Sequence, residues 1–358
     1  MINMNNEKEK KPKYDYSAQT DSYVDALIMK FLPKLVNIIP YGVPANMITI
    51  CSNTCAFIAF VIAMLSVKNI YTLWFAIPFL LLAYLMGDCL DGAQARRTHT
   101  GSQLGEFMDH FLDCFVTGEL VIPVLVCYHV RNPWIAFIIL TKSYITQASA
   151  FWERHKNGHM YFGKFSSSET VLSLATIMTL SYFNVIRNFV EQPLNSFEFI
   201  NKIFGTSWTA ITNLSVAEFF ICVFFCFTLI SDVMTFVRTR GASLRFWSYC
   251  IAVLLVTSIF AIQNPDFYYI QFYVISFMNI DYIASLIISI TTKKREPHPD
   301  YLFVAFVVIS FVLKLNVNIA LIIELSYLTV KILTKALCHI IKFRECWYWK
   351  NPAPVVES

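Results

Sequence analysis

The chain has 358 residues, 56% of them hydrophobic and 15% charged, with a net charge of +4, whereas soluble domains carry about 25% charged residues. An ordinary soluble protein is excluded, and because the basic residues sit in short clusters between apolar runs, a nucleic-acid partner finds no support. The ten cysteines are scattered through apolar stretches, Cys51, Cys55, Cys222 and Cys226 among them. They lack the spacing of a zinc site and the density of a disulfide scaffold, and read as small core residues.

Residues 1–15, rich in Lys, Glu and Asn, have no apolar stretch of the kind a cleavable signal peptide needs. The expectation is an N-terminus that stays in the cytoplasm. From Val24 to Ile38, the residues Val24, Leu27, Ile28, Phe31, Leu32, Leu35 and Ile38 recur at three- and four-residue steps around Pro33. This spacing predicts a kinked amphipathic helix lying in the membrane interface.

Apolar segments follow near 47–67, 70–87, 105–130, 133–152, 168–186, 214–236, 246–263, 267–290, 301–315 and 319–338. Each approaches the roughly twenty residues that cross a bilayer. The expected fold is an all-α polytopic membrane protein of about ten transmembrane helices, with 187–213 as a surface loop or interfacial helix. With the N-terminus inside, inner loops hold Arg96, Arg97, Arg154, Lys156, Lys164, Arg238, Arg240, Arg245, Lys293, Lys294 and Arg295, against Lys68, Arg131, Arg187, Lys202 and Lys314 outside. Basic residues accumulate on the cytoplasmic side, so this asymmetry predicts that the loop after the second span faces the cytoplasm.

That second span ends in Gly87-Asp88-Cys89-Leu90-Asp91-Gly92-Ala93-Gln94-Ala95-Arg96-Arg97, and the third opens with Gly105-Glu106-Phe107-Met108-Asp109-His110-Phe111-Leu112-Asp113. At 3.6 residues per turn Asp88 and Asp91 share one helix face, as do Gly105, Asp109 and Asp113 on the next helix. Antiparallel packing of the two helices brings all four carboxylates together. Poorly hydrated carboxylates repel one another and need cations or a wet cavity, and hard oxygen ligands favour magnesium, manganese or calcium. Two such ions suit in-line phosphoryl displacement, with Arg96 neutralising further phosphate charge. Gly92, Ala95 and Gly105 permit close approach of either a second helix or a nucleotide.

The pattern Asp88-x2-Asp91-Gly92-x2-Ala95-Arg96-x8-Gly105-x3-Asp109-x3-Asp113 resembles the signature of the CDP-alcohol phosphatidyltransferase superfamily, with eight fixed positions over 26 residues. The resemblance covers roughly residues 40–240. It implies that Asp88, Asp91, Asp109 and Asp113 bind two Mg2+ or Mn2+ ions, and that Gly92, Ala95, Arg96 and Gly105 surround the CDP moiety. Asn46, in Asn46-Met47-Ile48-Thr49, is similar to the family's Asn-x-x-Thr and reads as a nucleotide contact or as a helix cap.

Gln94-Ala95-Arg96-Arg97-Thr98 and the number of spans look most like the choline/ethanolamine phosphotransferases. That likeness implies CDP-choline or CDP-ethanolamine as donor, diacylglycerol as acceptor, membrane lipids as surroundings, and a homodimer as a possible assembly. The same chemistry with ceramide as acceptor or CDP-diacylglycerol as donor stays open, and a transporter or an inactive scaffold is a remoter reading. Asp113 and His110 compete as the base for the acceptor hydroxyl; an unperturbed imidazole, with a pKa of about 6.5, suits proton transfer at neutral pH. Glu153 and Glu169 line the head-group end of the site or are simply solvated. The implied organisation is 1–46 as cytoplasmic terminus and interfacial helix, 47–240 as the catalytic membrane domain and 241–358 as further spans and tail. The implied place is the endoplasmic reticulum or Golgi of a eukaryote, or a bacterial inner membrane.

Overall fold

The computed structural model describes residues 18–65, 70, 72–130, 132–163, 166–204, 209–263 and 268–347. Residues 1–15, Lys68, Arg131 and Lys164, used above for orientation, lie outside them. The chain is an all-α membrane fold: α1 (Tyr23–Ile38), α2 (Ala45–Met64), α3 (Ile77–Thr98), α4 (Gln103–Cys127), α5 (Pro133–Asn157), α6 (Ser167–Leu180), α7 (Asn184–Val190), α8 (Glu198–Phe204), α9 (Thr209–Thr212), α10 (Val216–Arg238), α11 (Leu244–Gln263), α12 (Tyr268–Thr291), α13 (Tyr301–Val312) and α14 (Val317–Lys342).

Among the described residues, seven helices are long and apolar enough to cross a membrane, or eight if the bent pair α6–α7 is one span. The sequence suggests about ten. Two differences have physical causes. Helix α5 has the length of a span, 25 residues, but carries Lys142, Gln147 and several hydroxyls. It tolerates them because most of its surface, from Ala136 to Arg154, is buried against other helices. The apolar run 301–315 yields only the 12-residue α13, which stops before Lys314 in a left-handed turn (φ 52°). Near Tyr182 the chain turns by 112° between α6 and α7, after which the short helices α8, largely exposed, and α9 follow.

Two apolar clusters organise the bundle. Among the described residues, one joins α4, α5, α11, α12, α13 and α14, and the other joins α1, α2, α3, α4 and α6. Within the first, α12 is central and mostly buried, while α10 is mostly exposed and turns Phe220, Phe227 and Ile230 outward. Helix α1 turns Ile28, Leu32 and Val36 inward and leaves Leu27, Phe31 and Ile38 exposed. Before it, β1 (Ala18–Thr20) pairs in parallel with β2 (Met160–Phe162), strapping the N-terminal segment across the α5–α6 connection. All ten cysteines are free. Cys51 and Cys226 are exposed on helix faces, which corrects their reading as core residues.

Candidate metal and nucleotide site

Helix α3 runs unbroken through Asp88 and Asp91 to Thr98, where His99 caps it in the left-handed conformation (φ 55°). Ser102 opens α4 by accepting a hydrogen bond from the Gly105 amide at 3.0 Å. The short turn between them sends α4 back along the direction of α3. The two helices pack against α2 rather than tightly against each other. Asp109 feels the charges of Asp91, Asp113 and Asp88, and Asp113 those of Asp88 and Asp91. The four acids thus lie within reach of one another's charges. Ligand oxygens and nitrogens of Asp109, His110 and Asp113 lie within 4.8 Å of one another.

Hydroxyls fix two of the carboxylates. Thr49 on α2 donates to Asp91 Oδ2 at 2.5 Å, and Tyr84 on α3 donates to Asp113 Oδ1 at 3.0 Å. Asp91 is 4% exposed. Asp109 Oδ1 is buried with no hydrogen-bond partner among the described residues, an arrangement that costs free energy unless something else meets it. Four hard carboxylates with one orphaned oxygen fit a divalent cation far better than they fit each other.

The residues matched to the CDP moiety divide. A Cβ on Gly105 would lie 3.2 Å from Asn46 Oδ1, so Asn46 and Gly105 are neighbours at the mouth of α4. Asn46 does not cap α2. The capping position is Pro44, which makes no side-chain cap bond. A Cβ on Gly92 would meet only the Arg96 guanidinium at 3.4 Å and beyond, so Gly92 borders open space, with Arg96 exposed and Ala95 half-buried on the same helix. Gly105 thus sits close to α2, while Gly92 does not bring helices together. Gly87 and Gly118 do: a Cβ there would stand 2.5 Å from Ser52 Cβ and 2.7 Å from Tyr144 Oη, respectively.

Other expected residues act structurally. Gln94 Nε2 donates to the carbonyls of Pro40 (3.2 Å) and Val43 (2.9 Å), and Arg97 donates to those of Val36 (2.5 Å) and Ile39 (2.9 Å). They tie the end of α1 and the following turn to α3. Glu153, 1% exposed, is neither solvated nor open to a head group, because Arg238 holds both its oxygens at 2.8 Å. Glu169 completes a capping box with Ser166 and receives the Ser22 hydroxyl (2.7 Å) and the Val24 amide (3.0 Å), pinning α1 to α6. Lys142 pairs with Asp232 at 2.7 Å and Asp281 with Lys335 at 2.5 Å, whereas Glu324 Oε2 is buried without a hydrogen-bond partner among the described residues.

Sequence reading did not foresee Tyr84, Thr49 as a partner of Asp91, or Asp25 on α1, whose charge reaches Asp88. Tyr84 stands one helical turn before Asp88, a spacing that could have placed it on the site face. Nothing local signals Asp25.

Residues 43–208 match the family model described as CDP-alcohol phosphatidyltransferase. Residues 43–208, which hold the four aspartates, are thus similar to the CDP-alcohol phosphatidyltransferase domain. An uncharacterized CDP-alcohol phosphatidyltransferase class-I family protein 2 of Dictyostelium discoideum is 25% identical over 212 residues, 57% of this chain and 47% of the relative. The cholinephosphotransferase 1 of Rattus norvegicus is 26% identical over 175 residues, 47% of this chain and 44% of the relative. The choline/ethanolaminephosphotransferase 1 of Arabidopsis thaliana is 32% identical over 112 residues, 28% of each chain. The match thus spans less than half of the length of each of these relatives.

Proposed function

We propose that this chain moves phosphocholine or phosphoethanolamine from the corresponding CDP-alcohol to the free hydroxyl of diacylglycerol, releasing CMP, within a catalytic region of residues 47–240. The observation that carries this reading is the convergence of Asp88, Asp91, Asp109 and Asp113 from two helices around an orphaned buried oxygen. The acceptor oxygen bonds to the β-phosphorus, the bond from that phosphorus to the bridging oxygen breaks, and the bridging oxygen leaves with CMP. The acceptor's proton passes to a carboxylate, for which Asp113, oriented by Tyr84 at 3.0 Å, is the assigned base.

The four aspartates would hold two Mg2+ or Mn2+ ions. When bound, such ions neutralise pyrophosphate charge and polarise the attacked phosphorus. Arg96 adds positive charge beside the open space at Gly92, with Ala95 on the same helix, and Asn46 and Gly105 flank the nucleotide at the start of α4. The basic loops favour a site open to the cytoplasm, in the endoplasmic reticulum or Golgi of a eukaryotic cell or the inner membrane of a bacterial one. The test is CMP release by purified protein in lipid nanodiscs, given CDP-choline, CDP-ethanolamine or CDP-diacylglycerol with matching acceptors and Mg2+ or Mn2+. Turnover with either of the first two and diacylglycerol supports the proposal. Turnover with CDP-diacylglycerol alone refutes the substrate assignment, and activity in excess chelator refutes the metal site.

A further inference from the structure

Beside the carboxylates lies a buried charged group that the site described so far does not use. Arg154, near the end of α5 and 6% exposed, pairs through Nη1 with Glu106 on α4, and the same nitrogen lies 3.3 Å from His110 Nε2. Glu106 and His110 are 8% and 7% exposed, and the edge of the Phe151 ring closes on the imidazole with centroids 5.1 Å apart. On its other side, His110 Nδ1 faces Asp109 Oδ2 at 3.7 Å.

A guanidinium has five donors and no acceptor. His110 Nε2 must therefore be the acceptor, and a neutral imidazole that accepts at Nε2 carries its proton on Nδ1. The ring nitrogen nearer the site thus carries a hydrogen and stands 3.7 Å from Asp109 Oδ2, a charge contact rather than a hydrogen bond, while Asp109 Oδ1 remains the buried oxygen without a hydrogen-bond partner among the described residues. The ring's lone pair points away from the four aspartates, into the Arg154–Glu106 pair. That geometry suits an orienting group and not a base for a substrate held at the aspartates.

We propose that Arg154, braced by Glu106, is a positioning residue that fixes His110 with its Nδ1–H toward Asp109 and thereby aims Asp109 Oδ1 at a divalent cation. The inference rests on the metal reading of the site given above. Groups behind a metal ligand typically change affinity or activity by about tenfold to a hundredfold when removed. Arg154 stands on a helix outside the eight-position pattern, 48 residues along the chain from Glu106.

The experiment measures Mn2+ binding by electron paramagnetic resonance on the full-length protein in nanodiscs without substrate, and CMP release across a Mn2+ titration. Four variants are compared: Arg154→Gln, Arg154→Lys, His110→Ala and His110→Asn. An Asn amide can take the place of the Nδ1–H but cannot relay a proton, and Lys keeps the donor. The expected result is Mn2+ affinity weakened about tenfold or more in Arg154→Gln and His110→Ala, with His110→Asn and Arg154→Lys within about threefold of wild type. High Mn2+ should restore most of the turnover of His110→Ala. Should the buried charge change prevent Arg154→Gln from folding, the two His110 variants still decide the matter.

Wild-type Mn2+ affinity in His110→Ala overturns the proposal. So does a turnover defect of about a thousandfold that saturating Mn2+ leaves in place, since His110 would then be moving a proton. Absence of Mn2+ binding by the wild type removes the metal reading itself and the proposal with it. Mn2+ binding without turnover on any donor removes only the substrate assignment, and the binding arm then decides the proposal alone.

Discussion

Thr49 on α2 donates a hydrogen bond to Asp91 on α3 across 2.5 Å, and through it the helix that packs on both α3 and α4 sets the orientation of one carboxylate. Tyr84 plays the matching part for Asp113 at 3.0 Å. Each of these two contacts engages one carboxylate oxygen. Removal of either hydroxyl should loosen a ligand without deleting it. Thr49→Val and Tyr84→Phe are expected to raise the half-saturating Mn2+ concentration for CMP release about tenfold, with a smaller change at saturating metal. Unchanged metal dependence in both would mean that these hydroxyls serve packing alone.

Replacing the acids themselves has a sharper consequence. Asp91 and Asp109 lie among like charges that repel them, so Asp91→Asn and Asp109→Asn each relieve repulsion while removing a hard anionic ligand. Without metal both variants should melt no lower than wild type, and with metal they should gain less. Turnover should fall below about a tenth of wild type, because this chemistry depends on positioning and charge neutralisation. Thermal melts with and without Mn2+, read beside CMP release, separate the two effects, and robust turnover in either variant would remove that residue from the metal shell.

The placement of the four aspartates on facing helices was legible because its information is local: steps of three and four residues put them on single helix faces, and the short turn Thr100-Gly101 leaves the next helix nowhere to go but back. What could not be read depends on long-range partners. Glu106 and Arg154 meet across 48 residues of chain, and no periodicity links Asp25 to Asp88. Nor could apolar spacing say which side of α1 packs, since Leu27 and Phe31 face outward while Ile28 and Leu32 face inward. In a membrane, lipid and protein interior are nearly alike to an apolar side chain. For the same reason α5 and α13 look like equal spans in sequence, although one is a buried 25-residue helix and the other a 12-residue one.

Gly87 and Gly92 lie five residues apart on α3, yet their surroundings differ. A Cβ on Gly87 would sit 2.5 Å from Ser52 Cβ, closer than side chains tolerate, whereas one on Gly92 would meet only the flexible end of Arg96. Gly87→Ala should therefore push α2 from α3 and destabilise the protein by about 1–3 kcal/mol, the usual cost of overpacking. Gly92→Ala should leave the melting temperature within about 2 °C of wild type, a near-neutral change, and raise the KM for the CDP-alcohol. Equal stability losses in the two variants would contradict this division into packing and nucleotide roles.

The turn between α3 and α4 offers a test of sidedness. Gly101 is exposed, nothing lies within 4 Å of a Cβ built there, and its φ is not in the left-handed region, so Gly101→Cys should fold normally. In sealed vesicles of known orientation, an impermeant thiol reagent should label it from the cytoplasmic face alone. The ten native cysteines supply a background, so labelling is compared with that of the parent chain. Labelling only from the opposite face would reverse the orientation drawn from the basic loops.

The Glu153–Arg238 pair joins the end of α5 to the end of α10. Both carboxylate oxygens are engaged at 2.8 Å, and the guanidinium also lies 4.3 Å from the Tyr161 ring centroid, on the strand that receives the N-terminal strap. Glu153 is 1% exposed, while the Arg238 side chain is 30% exposed. The asymmetry predicts unequal variants. Arg238→Ala leaves a buried carboxylate without its partner, a situation that costs about 3–5 kcal/mol in other proteins, while Glu153→Gln leaves a cation that can turn to water and keeps the amide to accept from it. Arg238→Ala should thus lower the melting temperature clearly more than Glu153→Gln. It should also speed proteolysis at the N-terminal strap, since Tyr161 both packs on Arg238 and donates to Asp21 at 2.5 Å. A protease pulse followed by mass analysis reports where cleavage begins. First cleavage elsewhere, with the strap intact, would show that Arg238 holds α5 to α10 without holding the strap.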